Sequence, residues 1–357
     1  MATIKDVAKE AGVSIATVSR VINKSPKASQ SSIDVVTQAM TKLGYRPNAA
    51  AKALVSQSTN TVGVLVSDVS DPFFGTLIKA VDTVAENHGK HILIGNGYHD
   101  ADKERRALDL LINSRCDALV IHAKGLSDEE LISYAKEVKS MVIINRHIPE
   151  LANRCISLNN YKGAYLATEF LIRHGHRQIA CLASSHNIED AEQRIAGYQA
   201  ALEAHNINLN NQYIEYGEPN SEGGETAMTN LMSKSVPFTG VVAYNDYMAA
   251  GALSVLDENG LAVPRDVSLV GFDDGLIAKY IQPRLTTVRY PIQMMAEKAA
   301  ELAISLTKED SNASVQKDLN SKKSDGKDLE SKALDSQTDT IIFSPTMVRR
   351  DSVLKIS

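Results

Sequence analysis

The sequence predicts an all-α headpiece followed by a two-lobed α/β body built on parallel sheets. Three observations predict it. Apolar residues recur at helical spacing in three short segments across residues 4–43. From residue 61 to about 307, β-branched runs alternate with amphipathic helical segments. The strand-like runs number about nine, too many for one comfortable doubly wound sheet, so the body is read as two lobes parted near residue 160.

The headpiece comes first. Ile4, Val7, Ala8 and Ala11 share one face of an opening helix. Gly12 takes the tight turn, where a positive φ costs glycine nothing. Ala8 is small enough for the next helix to cross above it. Ser14 is placed to cap that second helix, with Val18 and Val21 packing it back on the first. A third helix turns Ile33, Val36, Met40 and Leu43 inward and ends at Gly44. The outward face of the second helix then presents Ile15, Ala16, Thr17, Ser19, Arg20 and Asn23. That mixture suits a major groove. Arg20 can fork onto guanine O6 and N7, Ile15 and Ala16 can meet thymine methyls, and Thr17, Ser19 and Asn23 can reach phosphates. The plainer reading, a solvated three-helix bundle, leaves unexplained why small residue, glycine turn, cap and packing apolars all fall in register.

Residues 45–54, YRPNAAAKAL, link head to body. Pro47 stops the preceding structure and Asn48 can cap a helix over 49–54, far below the ~12 residues that stand alone in water. An ordinary alanine-rich linker is the alternative.

In the body, TVGVLV (61–66) is a near-continuous β-branched run of a strand buried on both faces. Further strands are read at 91–97, 117–123, 141–145, 178–183, 212–217, 239–245 and 267–272, with helices such as 71–89 and 190–205 between them. Residues 308–338 are rich in Ser, Lys and Asp and nearly free of apolar side chains, which predicts a disordered insertion. Order returns in TIIFSPTMVRR (340–350). The expected partition is a headpiece at 1–45, a hinge at 46–58 and a body at 59–357. Lobe 1 takes 59–160 and 292–307, and lobe 2 takes 161–291 and 339–357.

Charge sharpens the division of labour. The first 60 residues carry eight basic against three acidic side chains, while the whole chain is at −5, so a basic head precedes an acidic body and only the head suits a polyanion. Three cysteines without a C-x-x-C pair give no disulfide framework or zinc knuckle, and a reducing cytoplasm is expected. No apolar run has the length of a secretory signal or a membrane span. Catalysis finds no support. GNGYHD (95–100) begins like a dinucleotide fingerprint, but Asp100 stands where the third glycine is required. No phosphate-binding loop, nucleophile elbow or H-E-x-x-H pair occurs, and the nine histidines are expected on surfaces or caps. No metal or cofactor is expected.

Ligands of open α/β sheets bind beyond the carboxyl ends of the strands. Asp68, Asn145, Asn245 and Asp273 occupy such ends, and Arg194 lies on the helix after QIACLA. Carboxylate, amide and guanidinium groups together grip adjacent sugar hydroxyls, and an unpaired one penalises the wrong epimer. Phe73 and Phe74 can wall a pyranose face. Singly, each of these residues could equally be a solvated strand end or plain core.

TIKDVAKEAGVSIATVSRVIN (3–23) resembles the opening signature of the lactose/galactose repressor family. DVSDPFFG, LIGNGYH, VIINR, GEPNSEGGE, YNDYMAAGA, VGFDD, RLTTVRYP and FSPTMVRR extend the resemblance over nearly the whole chain outside 308–338, with most likeness to its galactose-operon branch. The resemblance implies a periplasmic-binding-protein-like body and a homodimer on double-stranded operator DNA. Paired hinge helices would enter the minor groove, with Leu54 wedged into a base step. Thr3, Asn48 and Ala51 join the implied DNA-facing set beside Ser14. Asn145, Arg194, Asn245 and Asp273 match inducer-binding positions, and Asp71, Phe73 and Phe74 match a first-lobe loop. The implied activity is repression of sugar-utilisation genes, relieved by a monosaccharide, D-galactose first. A different sugar or a nucleoside is the alternative effector. A free-standing sugar-binding protein or α/β enzyme is the alternative class. The chain closes on VRRDSVLKIS without a leucine heptad, so a dimer is expected rather than a tetramer.

Overall fold

The computed structural model describes residues 2–23, 25–46, 58–321 and 340–356, with backbone alone at 309–321. The hinge helix expected over 49–54, with Asn48, Ala51 and Leu54, falls outside the described residues. The chain divides into two compact units, 1–59 and 60–357.

The first unit holds helices α1 (Ile4–Ala11), α2 (Ile15–Ile22) and α3 (Gln30–Leu43). Val7, Val18 and Val36 are wholly buried at their junction, with Ala8 and Ala39 beside them. Alanine at these two positions lets the helix axes approach while valine fills the centre.

The second unit contains two six-stranded sheets. β1 (Thr61–Val66), β2 (His91–Asn96), β3 (Ala118–Ile121), β4 (Met141–Ile144) and β5 (Cys155–Leu158) form the first, in order β2-β1-β3-β4-β5, with β11 (Ile341–Phe343) outside β5. β6 (Ile179–Ser184), β7 (Ile214–Gly217), β8 (Gly240–Ala243), β9 (Ser268–Asp273) and β10 (Thr286–Arg289) form the second in order β7-β6-β8-β9-β10, with β12 (Thr346–Val348) antiparallel to β10. All other pairings are parallel. Both orders reverse next to the first strand, between β1 and β3 and between β6 and β8. Loops leaving the carboxyl ends diverge there and open a crevice.

Helices α4 (Pro72–Asn87), α5 (Ala101–Asn113), α6 (Asp128–Glu137) and α12 (Ile292–Ser321) serve the first lobe, and α7 (Asn160–Arg173), α8 (Glu189–Ala204), α9 (Ser221–Ser233), α10 (Asp246–Glu258) and α11 (Leu276–Tyr280) the second. Along α12, Met295, Ala296, Ala299, Ala300 and Ala303 are fully buried against α4, β3 and β4. No described helix is long and apolar enough to cross a membrane.

The structure corrects four expectations. β5 and β10 escape the hydropathy reading because each is a four-residue run broken by polar side chains, CISL and TTVR, where the equally short β3, β4 and β8 are wholly apolar. Gln212 and Tyr213 belong to a 3-10 turn, so β7 starts at Ile214. The segment 339–357 does not belong wholly to lobe 2. The chain leaves α12 on lobe 1, adds β11 beside β5, and only then crosses to pair β12 with β10. Finally, the segment read as disordered from 308 is helical through Ser321. Its composition argues against packing, but a helix already nucleated over 292–307 extends without a second nucleation cost, and no glycine or proline intervenes before Gly326.

One close approach positions the second lobe's machinery. A Cβ on Gly197 of α8 would lie 2.1 Å from the Tyr161 carbonyl oxygen of α7. Gly197→Ala must therefore push these helices apart. We expect a loss of about 1–3 kcal/mol, read as a lower thermal melting temperature. An unchanged melt would contradict the packing.

Candidate functional sites

In the head, each helix start is built by a side chain. Thr3 Oγ1 accepts from the Asp6 amide at 3.4 Å while Asp6 Oδ2 accepts from the Thr3 amide at 2.8 Å, a reciprocal box at the start of α1. Gly12 follows at φ 65°. Ser14 Oγ accepts from the Thr17 amide at 3.1 Å and opens α2. Ile15, Ala16, Arg20 and Asn23 are exposed, with Ile15 at 46%. Thr17 and Ser19, expected fully outward, are half-buried. Thr17 Oγ1 is 2.9 Å from Ser14 Oγ, and Ser19 Oγ accepts from Asn23 Nδ2 at 3.4 Å. The head's acids are engaged locally: Asp6 in the box, Glu10 with Lys42 at 2.6 Å, and Asp34 with Gln30 at 2.9 Å. Arg20 makes no ion pair to a described residue, which leaves a positive, partly apolar, capped helix face free.

In the body, the carboxyl ends of β3, β4, β6, β8 and β9 bring polar side chains into the crevice from both lobes. Lys124, after β3, places Nζ 2.8 Å from Asp190 Oδ1 across the lobes, with side chains only 3% and 9% exposed. Asp190 Oδ2 accepts from Asn145 Nδ2 at 2.5 Å, and Lys124 Nζ also donates to the Asn145 carbonyl. Glu104 fixes the loop bearing Lys124. Its carboxylate accepts three successive amides, from Lys124, Gly125 and Leu126, at 2.9–3.0 Å.

One helical turn after Asp190, Arg194 lies over the Phe272 ring at 3.7 Å and near Tyr244 at 4.4 Å. It donates to Asn160 Oδ1 at 2.9 Å and to the Tyr244 carbonyl at 2.6 Å, and its Nη2 is 3.9 Å from Asp273 Oδ1. Burial pushes the Asp273 carboxyl well up, against the opposing pull of Arg194. Asn145 and Asp273 hold φ of 58° and 108°, backbone that non-glycine residues adopt only where the surroundings impose it. Asn145 Oδ1 and Tyr290 Oη are buried and make no hydrogen bond to a described residue.

A cavity of about 400 Å3 opens between the lobes, within the range of small-molecule sites. Ser67, Asp68, Asp71, Phe74, Tyr98 and His99 line it from lobe 1, and His186, Glu218, Asn220 and Tyr247 from lobe 2. Asp71 caps α4 through the Phe73 amide at 2.8 Å, and burial raises its carboxyl, with Asp68 adding to the rise. Ser67 Oγ lies between two imidazoles, 3.3 Å from His99 Nδ1 and 3.1 Å from His122 Nδ1. Burial, then the neighbouring His186 and Lys124, bring His99 down to about 4. His122, packed edge-on to Phe74, is held well below the usual imidazole range by burial first and Lys124 second.

Among the residues expected at a ligand, Asp71 and Phe74 line the cavity, and Asn145, Arg194 and Asp273 gather at the polar cluster. Two behave differently. Phe73 turns away from the cavity to pack edge-to-face on Phe74 and Tyr290, at 5.2 and 5.0 Å between ring centres. Asn245 has both amide groups engaged, accepting from the Met248 amide and donating to the Pro219 carbonyl, each at 2.8 Å. The histidines also depart from expectation. His122 and His176 are buried, and His99 and His186 face the cavity. Sequence reasoning missed Lys124, Asp190, His99, His186, Glu218 and Tyr290. Most follow a strand directly, and Asp190 precedes Arg194 by four residues on one helix face, so a signal existed. No cluster of three or more potential metal ligands occurs among the described residues.

A model described as "Bacterial regulatory proteins, lacI family" matches residues 3–48, and one described as "Periplasmic binding protein-like domain" matches 168–322. The HTH-type transcriptional regulator GalR of Escherichia coli is 51% identical over 353 residues, covering 99% of this chain and 96% of that protein. The HTH-type transcriptional regulator GalS of Salmonella typhimurium is 48% identical over 99% of this chain and 97% of its own. The crystal structure of a lac repressor dimer bound to operator and the anti-inducer ONPF shares the fold, with TM-score 0.82 at 23% identity and 99% of each chain covered.

Proposed function

The chain belongs to the lacI family of bacterial regulatory proteins, and we propose that the sugar whose binding releases it from DNA is D-galactose. It is a DNA-binding, sugar-responsive transcriptional repressor. Ser14, Ile15, Ala16, Thr17, Ser19, Arg20 and Asn23 are assigned to the DNA face, with Arg20 as the base reader and the capped start of α2 set against phosphates. Thr3 joins them at the start of α1. Asn48, Ala51 and Leu54 are assigned to the hinge contact on the family resemblance.

Two copies are assigned to each operator. One head offers a single recognition helix, and near-palindromic sites match a two-fold pair. A chromosomal target puts this work in the cytoplasm.

One observation carries the ligand assignment: two buried polar atoms, Asn145 Oδ1 and Tyr290 Oη, lack a partner beside a dense set of charged and amide groups. Buried polar atoms in native proteins are almost always paired, so a hydroxyl-bearing ligand supplies the missing partners. Asn145, Arg194 and Asp273 read its hydroxyls, with Asp71 and Phe74 on the opposite wall. Asn245 acts indirectly by holding the loop at Pro219, and Phe73 by backing Phe74. Galactose follows from the likeness of DVSDPFFG, YNDYMAAGA and VGFDD to galactose-operon repressors.

In a mobility-shift titration, saturating D-galactose is expected to weaken operator binding by about 5–150-fold, the span of a 1–3 kcal/mol coupling. Unchanged affinity would remove galactose as the effector.

A further inference from the structure

The imidazoles at the mouth of the cavity have no role in the reading above, and they come from opposite lobes. His99 follows β2, and its ring centre is 5.1 Å from that of His186, which follows β6. His99 is anchored to lobe 1 through Ser67, and His186 to lobe 2 through Glu218 Oε2 at 2.8 Å. Both rings line the cavity. We propose that His99 and His186 are a ligand-contacting pair, one from each lobe, and that a positive charge on His99 opposes their closure on the sugar.

Closure changes the surroundings of His99. Facing it are His122 and Lys124 from its own lobe and His186, Asp190 and Glu218 from the other. Burial, His186 and Lys124 oppose a positive charge on the ring, while Asp190 and Glu218 favour one. The opposition wins, so the closed cleft holds His99 near 4, against 6.5 for a free imidazole. Moving the lobes apart removes much of the cover and His186, which raises it back toward the ordinary value. The sign then follows from linkage. The open form binds the proton more tightly, so closure is unimpeded above pH 6.5 and weakens as pH falls below it. Sugar held between the lobes shares that penalty, because binding and closure are one event. Acid thus returns the repressor to its operator.

This rests on the sugar-binding assignment, so the probe is D-galactose on the full-length protein. By calorimetry, affinity at pH 5.5 is expected to be about tenfold weaker than at pH 7.5, the loss one proton imposes over that interval. His99→Gln keeps a polar group beside Ser67 and is expected to show less than a twofold change between the same pH values. A merely structural role would lower affinity equally at both. Equal wild-type affinities at the two pH values would overturn the proposal, as would an undiminished fall in the variant. If galactose does not bind at pH 7.5, it is the effector assignment that fails. The proposal is then decided without sugar, by NMR titration of the His99 ring in the free, open protein, where a midpoint above 6 sustains it and one still held near 4 overturns it.

Discussion

Replacing Arg20 with alanine is expected to abolish discrimination between operator and unrelated duplex while leaving galactose affinity unchanged. The guanidinium is exposed on α2 and paired to no described residue, so its loss costs the fold less than about 0.5 kcal/mol. A bidentate contact to guanine is worth about 1–3 kcal/mol of discrimination, and a dimer presents two such contacts, for about 2–6 kcal/mol in total. Thirtyfold is the lower end of that range. Residual binding should be salt-dependent and indifferent to sequence, because phosphate contacts from the remaining basic side chains persist. Competition mobility shifts with operator and scrambled duplex at one salt concentration read the ratio directly. Preserved discrimination would mean that α2 does not read the groove through Arg20, and the base contacts would have to come from elsewhere on the head.

The head was legible because its determinants are local. Ser14 caps a helix through an amide three residues away, Gly12 turns between neighbours, and Val7 meets Val18 within one short segment. The longest reach there is about thirty positions, from α1 to Val36 and Lys42 of α3. The cleft is different. That polar residues at strand ends face a ligand is readable from sequence, and it brings out Asp68, Asn145, Asn245 and Asp273. Which strand ends are neighbours is not. Lys124 meets Asp190 over 66 positions, and His99 meets His186 only because both sheets reverse next to their first strand. Asn245 shows the converse limit. Its residue type and position fit a ligand contact, yet the same amide caps α10, a job only the folded loop reveals. Composition likewise misjudged 308–321, since it measures the capacity to pack and a helix extending from a buried stem needs none.

Removing Arg194 is expected to have the largest effect in the body, because one buried cation satisfies several partners. It is 7% exposed, donates to Asn160 and the Tyr244 carbonyl, and fills the space over Phe272. Arg194→Ala strands those acceptors, leaves Asp273 without its cation and opens a cavity. Breaking a buried charge set in this way costs about 3–5 kcal/mol, several times an exposed pair. Urea unfolding of the full chain should show the loss, and galactose should no longer shift operator binding. Arg194→Lys keeps the charge but cannot fork to Asn160 and Tyr244, so an intermediate loss is expected. The variant also carries a pH signature. The Arg194 guanidinium pulls the Asp273 carboxyl down against burial, so without it the folded state keeps more firmly a proton that the unfolded chain has already released. A carboxyl raised in the folded state destabilises as pH rises, so Arg194→Ala should be more stable at pH 5.5 than at pH 8, by a wider margin than the parent. A pH-independent loss would assign the effect to the cavity alone, and Asp273 would then owe nothing to Arg194.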